Sequence, residues 1–291
     1  MEERVTFYSE GTKVAGILGI PDGPGPRAAV ILCHGFSMVK EIWLPENARR
    51  FREAGYVTLL FDYRFFGESG GEPRQRLIPM AQVADVKNAI TYLETRREVR
   101  ADRIGLYGTS FGCGNVSYVA GTDDRVRATV GVAGPGDCER VYRSGPKFDE
   151  FMAKVRAARQ KLVATGEVTY LSSSRLMARD PGTAEKLDRA HKDFPGWRPE
   201  VTFESLLDIV AFRPESVVER IAPRPILWIH PEKDGLVPLF EAQSLYAKAR
   251  HPKKLVVLEG MDHVAIYEGE GRDRVMKEAL AFFREHMPAG A

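Results

Sequence analysis

Apolar and polar positions change period several times along the chain, and the changes mark out its elements. Near the amino terminus Val5 to Tyr8 and Lys13 to Ile20 alternate on either side of Gly11, which predicts an antiparallel hairpin. Apolar runs of strand length then recur at 28–33, 57–61, 103–107 and 127–132, separated by helical spacings at about 45–54, 79–96 and 111–120. Two more strands, 226–229 and 254–258, precede a closing helix from about Arg272. Strands that alternate with helices become parallel neighbours, because each helix is the crossover that returns the chain to the same end of the sheet. The predicted fold class is α/β, a doubly wound and mostly parallel sheet with helices on both faces and its site at the strand carboxyl ends.

The alternation fails between Ala133 and Pro225. This stretch holds several helical patterns and no further buried strand, so 134–222 is expected as a helical cap inserted into a core made of 1–133 and 223–291. Phe148, Phe151, Met152, Val155, Ala158 and Leu162 recur at helical spacing and form an apolar stripe that packs on the core. A second helical group, 203–212, leads through Arg213-Pro214 to the last strands.

Gly108-Thr109-Ser110-Phe111-Gly112 falls where the strand 103–107 gives way to the helix 111–120. A Gly-X-Ser-X-Gly pentapeptide in that context is a nucleophile elbow, a turn tight enough to need glycine two residues either side of the serine. A serine hydroxyl is a poor nucleophile at neutral pH, so it needs a base that is itself oriented by a carboxylate. Asp234, on the loop after 226–229, is the expected acid, and His263, after 254–258, the expected base. Glu232 is expected in solvent, and Asp262 adjoins the histidine and would have to fold back on it. The chain order Ser110, Asp234, His263 follows three separate strands. An oxyanion hole is also required, and Gly35 lets the Phe36 N–H turn toward the site while Phe111 supplies the second N–H. His34 is a further histidine near this point, with packing and hydrogen bonding of its own loop at least as well supported as a role as base. Cys113 lies three residues past Ser110, but the elbow presents the serine instead.

At these residues the chain resembles the α/β-hydrolases of the esterase and dienelactone-hydrolase-like branch, near the single-domain relatives of prolyl oligopeptidases. The resemblance rests on His34-Gly35-Phe36, on the stretch from Phe61 to Gly71, on the elbow, and on the Asp234 and His263 loops, which together span nearly the whole chain. It implies a serine hydrolase acting on an ester or a related acyl bond, with neither metal nor organic cofactor; the leading expectation is a carboxylic ester cleaved through an acyl-enzyme, its short acyl group expected from Phe65 and the aromatic cap. Thioester, lactone, amide and carbon–carbon hydrolysis stand as alternatives, as does a non-catalytic ligand-binding protein of the same fold. Relatives usually carry glycine at the position of Phe65, so its ring is expected either to narrow the acyl pocket or to pack within its loop. Tyr142, Phe148 and Phe212 are further candidates for substrate contact, while Tyr170, Phe194 and Trp197 add bulk to the cap.

Composition narrows the remaining choices. Net charge is +2 with acidic and basic residues interspersed, and the densest basic cluster, Lys154, Arg156, Arg159 and Lys161, reads as the solvated side of a helix, so no nucleic-acid partner is expected. No apolar run is long enough to span a bilayer, and the acidic amino terminus passes directly into a strand, so neither a signal peptide nor a membrane partner is expected. The 3 cysteines, Cys33, Cys113 and Cys138, lie on or near core elements, as expected of reduced thiols in a cytoplasmic protein. A small-molecule ester is the expected partner, with a homodimer as the one protein association allowed for.

Overall fold

The computed structural model describes residues 1–145, 147–176, 185–186, 189, 191–194 and 197–290. The opening hairpin, β1 (Glu2–Ser9) and β2 (Thr12–Gly19), turns at Glu10 and Gly11, both at positive φ. Then come β3 (Arg27–Cys33), α1 (Leu44–Glu53), β4 (Val57–Phe61), α2 (Pro79–Glu94), β5 (Val99–Thr109), α3 (Phe111–Thr122) and β6 (Val126–Val132). Both α1 and α2 begin with proline in the first turn, where the missing N–H has no helical partner to lose. β5 starts four residues before the expected strand, because Val99 pairs with Arg27 ahead of a register shift.

Past β6 the chain forms α4 (Cys138–Arg143), α5 (Phe148–Thr165), the short strand β7 (Tyr170–Ser172), a single turn α6 (Ser173–Leu176), β8 (Glu200–Thr202) and α7 (Ser205–Ala211). The β7–β8 ribbon departs from the purely helical pattern expected here. Three-residue strands are too short to display alternation, and the ribbon is held instead by a tertiary bond from the Thr202 N–H to the Gln75 carbonyl. The core resumes with β9 (Ile226–Pro231), α8 (Phe240–Lys248), β10 (Lys253–Leu258) and α9 (Gly269–His286). α8 lies outside the helices expected from the sequence, although Ala242, Leu245 and Ala249 recur at helical spacing and parallel pairing of β9 with β10 demands a crossover there.

Eight strands join in the order β1-β2-β4-β3-β5-β6-β9-β10, with only the hairpin and its contact to β4 antiparallel. Alternation along each strand divides the interior into two layers. In β3, Ala29, Ile31 and Cys33 face Val86 of α2 and Val116 of α3, whereas Ala28, Val30 and Leu32 face Phe51 of α1 and Phe283 of α9. β4 is buried at all five positions, as a strand covered on both faces must be. Among the described residues, no helix is long and apolar enough to cross a membrane.

Candidate active site

Ser110 is the hinge between β5 and α3, at φ 51° and ψ −123°, a conformation that non-glycine residues rarely adopt. The turn is locked by backbone approach on both sides. A Cβ on Gly108 would lie 2.3 Å from the Gly112 carbonyl oxygen, and one on Gly112 would lie 2.3 Å from the Cys33 carbonyl oxygen. The Ser110 N–H donates to the Val132 carbonyl at 2.8 Å, which pins the strained residue to the neighbouring strand. Any side chain at either glycine would therefore displace the serine.

The loops after β9 and β10 bring Asp234 and His263 to this hinge. His263 Nε2 is 3.1 Å from Ser110 Oγ, and His263 Nδ1 is 2.7 Å from Asp234 Oδ2. A carboxylate only accepts, so Nδ1 carries the proton and Nε2 offers its lone pair to the serine. The other oxygen, Asp234 Oδ1, accepts the N–H groups of Leu236 at 2.9 Å and Val237 at 2.7 Å. Burial would raise the Asp234 carboxyl, but the His263 and His230 imidazoles beside it hold it well below the usual carboxylate range. The rival carboxylates face elsewhere. Asp262 is exposed and caps the turn after it by accepting the Ala265 N–H, and Glu232 accepts the Gly260 N–H at the surface.

Gly35 presses the loop after β3 against the elbow, for a Cβ there would stand 3.1 Å from Ser110 Cβ. That contact sets the backbone of Phe36 beside the serine, and the Phe36 and Phe111 rings meet edge to face at 5.9 Å. Phe111 is the first residue of α3, where helix geometry leaves the N–H without an intrahelical acceptor. His34 is buried, its Nδ1 3.0 Å from the Gly35 carbonyl and its ring edge-on to Tyr63, and burial lowers its pKa. Its bonding stays within its own loop.

The same loop is tied down by a lysine. Lys40 Nζ lies 2.7 Å from Asp62, 2.6 Å from Glu68 and 2.7 Å from Glu41, and Asp62 also accepts the N–H groups of Lys40 and Glu68. Oxygens of these three acidic residues lie within 4.8 Å of one another, a spacing suited to a metal ion, and the ammonium group supplies the cation. Burial opposes the charge, but Asp62 and its acidic neighbours raise the Lys40 pKa above its ordinary value. No sequence signal announced this cluster.

A pocket of roughly 560 Å³, counting its open mouth, leads to Ser110. Phe36 and Phe111 line it beside the serine, Leu236 and Val237 line it from the acid loop, and Pro135, Cys138, Val141, Tyr142 and Leu176 line it from the insertion. Tyr142 is thus the one expected aromatic contact that the structure sets in the wall. Phe65 is not there: at φ 74° its backbone bonds Gly70 and Gln75, and its ring covers Gly71 within the same loop. Phe148 lies beneath the Arg143 guanidinium, 4.4 Å from ring centre to Arg143 Cζ, away from the pocket. Phe212 packs behind the elbow against Phe111 and Tyr118 and borders a separate groove. Trp197 is buried with Met38, Val39 and Ile42 and donates to the Ser37 carbonyl at 2.6 Å, and Tyr170 sits under Arg198. Leu236 and Val237 are wall residues outside the expected set, although their place two and three positions after Asp234 is a usable signal.

Cys113 lies under the elbow, where burial pushes its thiol up to about 12, and it takes no place in the pocket wall. Cys33 is likewise pushed up to about 12 by burial. Neither thiol is poised as a thiolate.

Comparison with known proteins matches the alpha/beta hydrolase fold family to residues 28–270. An uncharacterized 31.7 kDa protein from the traX-finO intergenic region of Escherichia coli is 28% identical over 288 residues, covering 98% of this chain and 100% of its own. The thiohydrolase aneE of Aspergillus aculeatus is 28% identical over 292 residues, covering 95% of this chain and 90% of its own. The crystal structure of the α/β hydrolase GrgF from Penicillium sp. sh18 superposes with a TM-score of 0.85 at 24% identity, over 99% of each chain. The sheet order and the family match across 28–270 lead to one assignment: the chain belongs to the α/β hydrolase fold family.

Proposed function

We propose that the protein is a serine hydrolase that cleaves carboxylic esters through an acyl-enzyme, with Tyr142 and Leu176 of the pocket wall, in place of Phe65, restricting it to short acyl groups. The observation that carries this reading is the continuous contact from Asp234 through His263 to Ser110 at the mouth of an apolar pocket. In the first step Ser110 Oγ attacks the ester carbonyl carbon while His263 Nε2 takes the hydroxyl proton. The carbonyl oxygen becomes an oxyanion, stabilised by the backbone N–H groups of Phe36 and Phe111. His263 then returns the proton to the departing alkoxide, which leaves as the alcohol, and the acyl group stays on Ser110. A water attacks that ester, gives its proton to His263, and the collapse of the second intermediate restores the Ser110 hydroxyl and releases the acid. Asp234 keeps His263 in the tautomer that accepts at Nε2 and stabilises the imidazolium between the two transfers.

Thioesters form the second reading, favoured by the likeness to a protein named thiohydrolase. The acyl-enzyme would be the same and only the leaving group would differ. Matched oxygen and thioester substrates carrying one acyl group separate the two, measured together with labelling by a serine-directed fluorophosphonate. Turnover of short acyl p-nitrophenyl esters with the label on Ser110 is the expected result. Absence of labelling and of turnover on esters and thioesters alike would show a ligand-binding protein on the hydrolase fold.

A further inference from the structure

His230 has no part in the reaction as written above, yet it is the post from which the acid loop hangs. It sits on β9, paired with Val257 of β10, and is 1% exposed. Its Nε2 is 2.8 Å from the Val237 carbonyl oxygen, so this nitrogen carries the proton and donates. The same Nε2 is 3.4 Å from Asp234 Oδ2, the oxygen that holds His263. Asp234 Oδ1 closes the ring of contacts by accepting the N–H groups of Leu236 and Val237. The strand residue, the carboxylate and the two residues of the pocket wall therefore form one unit. On the strand side of the ring, the Val237 carbonyl is held by the His230 bond alone among the described residues.

We propose that His230 is a positioning residue with two outputs: by holding the Val237 carbonyl it fixes the acyl-pocket wall of Leu236 and Val237, and through the same loop it fixes the Asp234 carboxylate against His263. The assignment rests on the acyl-enzyme reading of the site. It predicts that acyl selectivity and turnover are coupled at a residue that touches no substrate, because wall and carboxylate share one anchor. A residue that merely filled space would be replaced by any side chain of similar volume. A donor at Nε2 has a narrower requirement, since the amide nitrogen of glutamine lies the same number of bonds from the backbone as Nε2, whereas that of asparagine falls one bond short.

The test compares His230→Gln, His230→Asn and His230→Ala with the wild type, measuring kcat and KM on acetyl, butyryl and octanoyl p-nitrophenyl esters, with thermal melting to confirm folding and fluorophosphonate labelling to count competent sites. His230→Gln is expected to stay within about threefold of wild type with the same acyl profile. His230→Asn and His230→Ala are expected to lower kcat and to change the octanoyl-to-acetyl ratio of kcat/KM, each by about tenfold or more, the scale on which small misplacements act. Folded Asn and Ala variants with wild-type kcat and profile overturn the proposal, and so does a Gln variant as altered in profile as the Ala variant. A wild type that neither labels nor turns over any ester overturns the acyl-enzyme reading itself, and the His230 assignment falls with it. If His230→Ala fails to fold, the Gln and Asn pair decides the matter alone.

Discussion

The two sides of the pocket are held in place by different means. On the strand side, Ser110, Asp234 and His263 stand at strand ends, and backbone approach at Gly35, Gly108 and Gly112 leaves the serine little freedom. On the insertion side the wall depends on side-chain packing and charge. Arg140 bonds Glu241 and Glu215, Lys248 reaches Glu215, and Ser173 and Trp197 reach Ser37, the residue after Phe36. Close backbone contact thus fixes the serine, whereas side-chain contacts hold the insertion wall in place. On the acyl-enzyme reading, substitutions at Ser110, Asp234 and His263 should appear in kcat, those on the insertion side in stability and selectivity, and those at His230, which holds both the carboxylate and the Leu236–Val237 wall, in both.

The largest expected effect is that of Ser110→Ala, which removes the proposed nucleophile without opening a buried cavity. Turnover should fall ~10⁴-fold or more with melting unchanged. Retention of activity in the purified variant would put the reaction elsewhere. Next comes Asp234→Asn, expected to lower kcat by ~10³–10⁴-fold, while Glu232→Gln and Asp262→Asn stay near wild type. Comparable losses in all three would mean that the acid is wrongly assigned.

Arg140→Ala tests the insertion side. It removes the guanidinium shared by the nearly buried Glu241 and Glu215, leaving Glu215 to Lys248 and Ser244 and Glu241 to two backbone N–H groups, and should destabilise the protein by about 1–3 kcal/mol while leaving kcat on acetyl esters within a few-fold. Burial alone would raise the Glu215 carboxyl, but its bonds to Arg140, Lys248 and Ser244 bring it down to about 2. A depressed carboxyl stabilises the fold above its ordinary range, and that contribution is lost as pH falls toward 2. Wild type should therefore lose more melting temperature between pH 6 and pH 3 than Arg140→Ala does, and equal losses would break the link.

Smaller changes concern the wall itself. Leu176→Ala should relax discrimination against long acyl chains by up to ~1–3 kcal/mol, measured as the octanoyl-to-acetyl ratio of kcat/KM. Phe65→Ala should leave that ratio unchanged, since the ring covers Gly71 and not the pocket. A shifted profile would return Phe65 to the substrate.

Much of the strand side was legible in the sequence because its constraints are local. Glycine two residues either side of a serine encodes a turn through which only bare backbone passes, and strand ends fix where Asp234 and His263 emerge. The rest depended on distant partners. Phe65 follows an unusual backbone angle into its own loop, and Phe148 meets a guanidinium five residues earlier. Phe212 reads as a wall residue until the packing of α3 places it behind the elbow. The β7–β8 ribbon has too few residues to carry a period, and the Lys40 cluster joins side chains from two separate loops.

That lysine has a consequence for side reactions. Any enzyme that carries an activated acyl group risks losing it to one of its own amines, and Lys40 lies only four positions beyond Phe36. Enclosed by Glu41, Asp62 and Glu68, its nitrogen is kept protonated and has no lone pair with which to form an amide. On the acyl-enzyme reading, the charge that anchors the loop also protects it from self-acylation, so after prolonged turnover mass spectrometry should find Lys40 unmodified while exposed lysines such as Lys154 accumulate adducts.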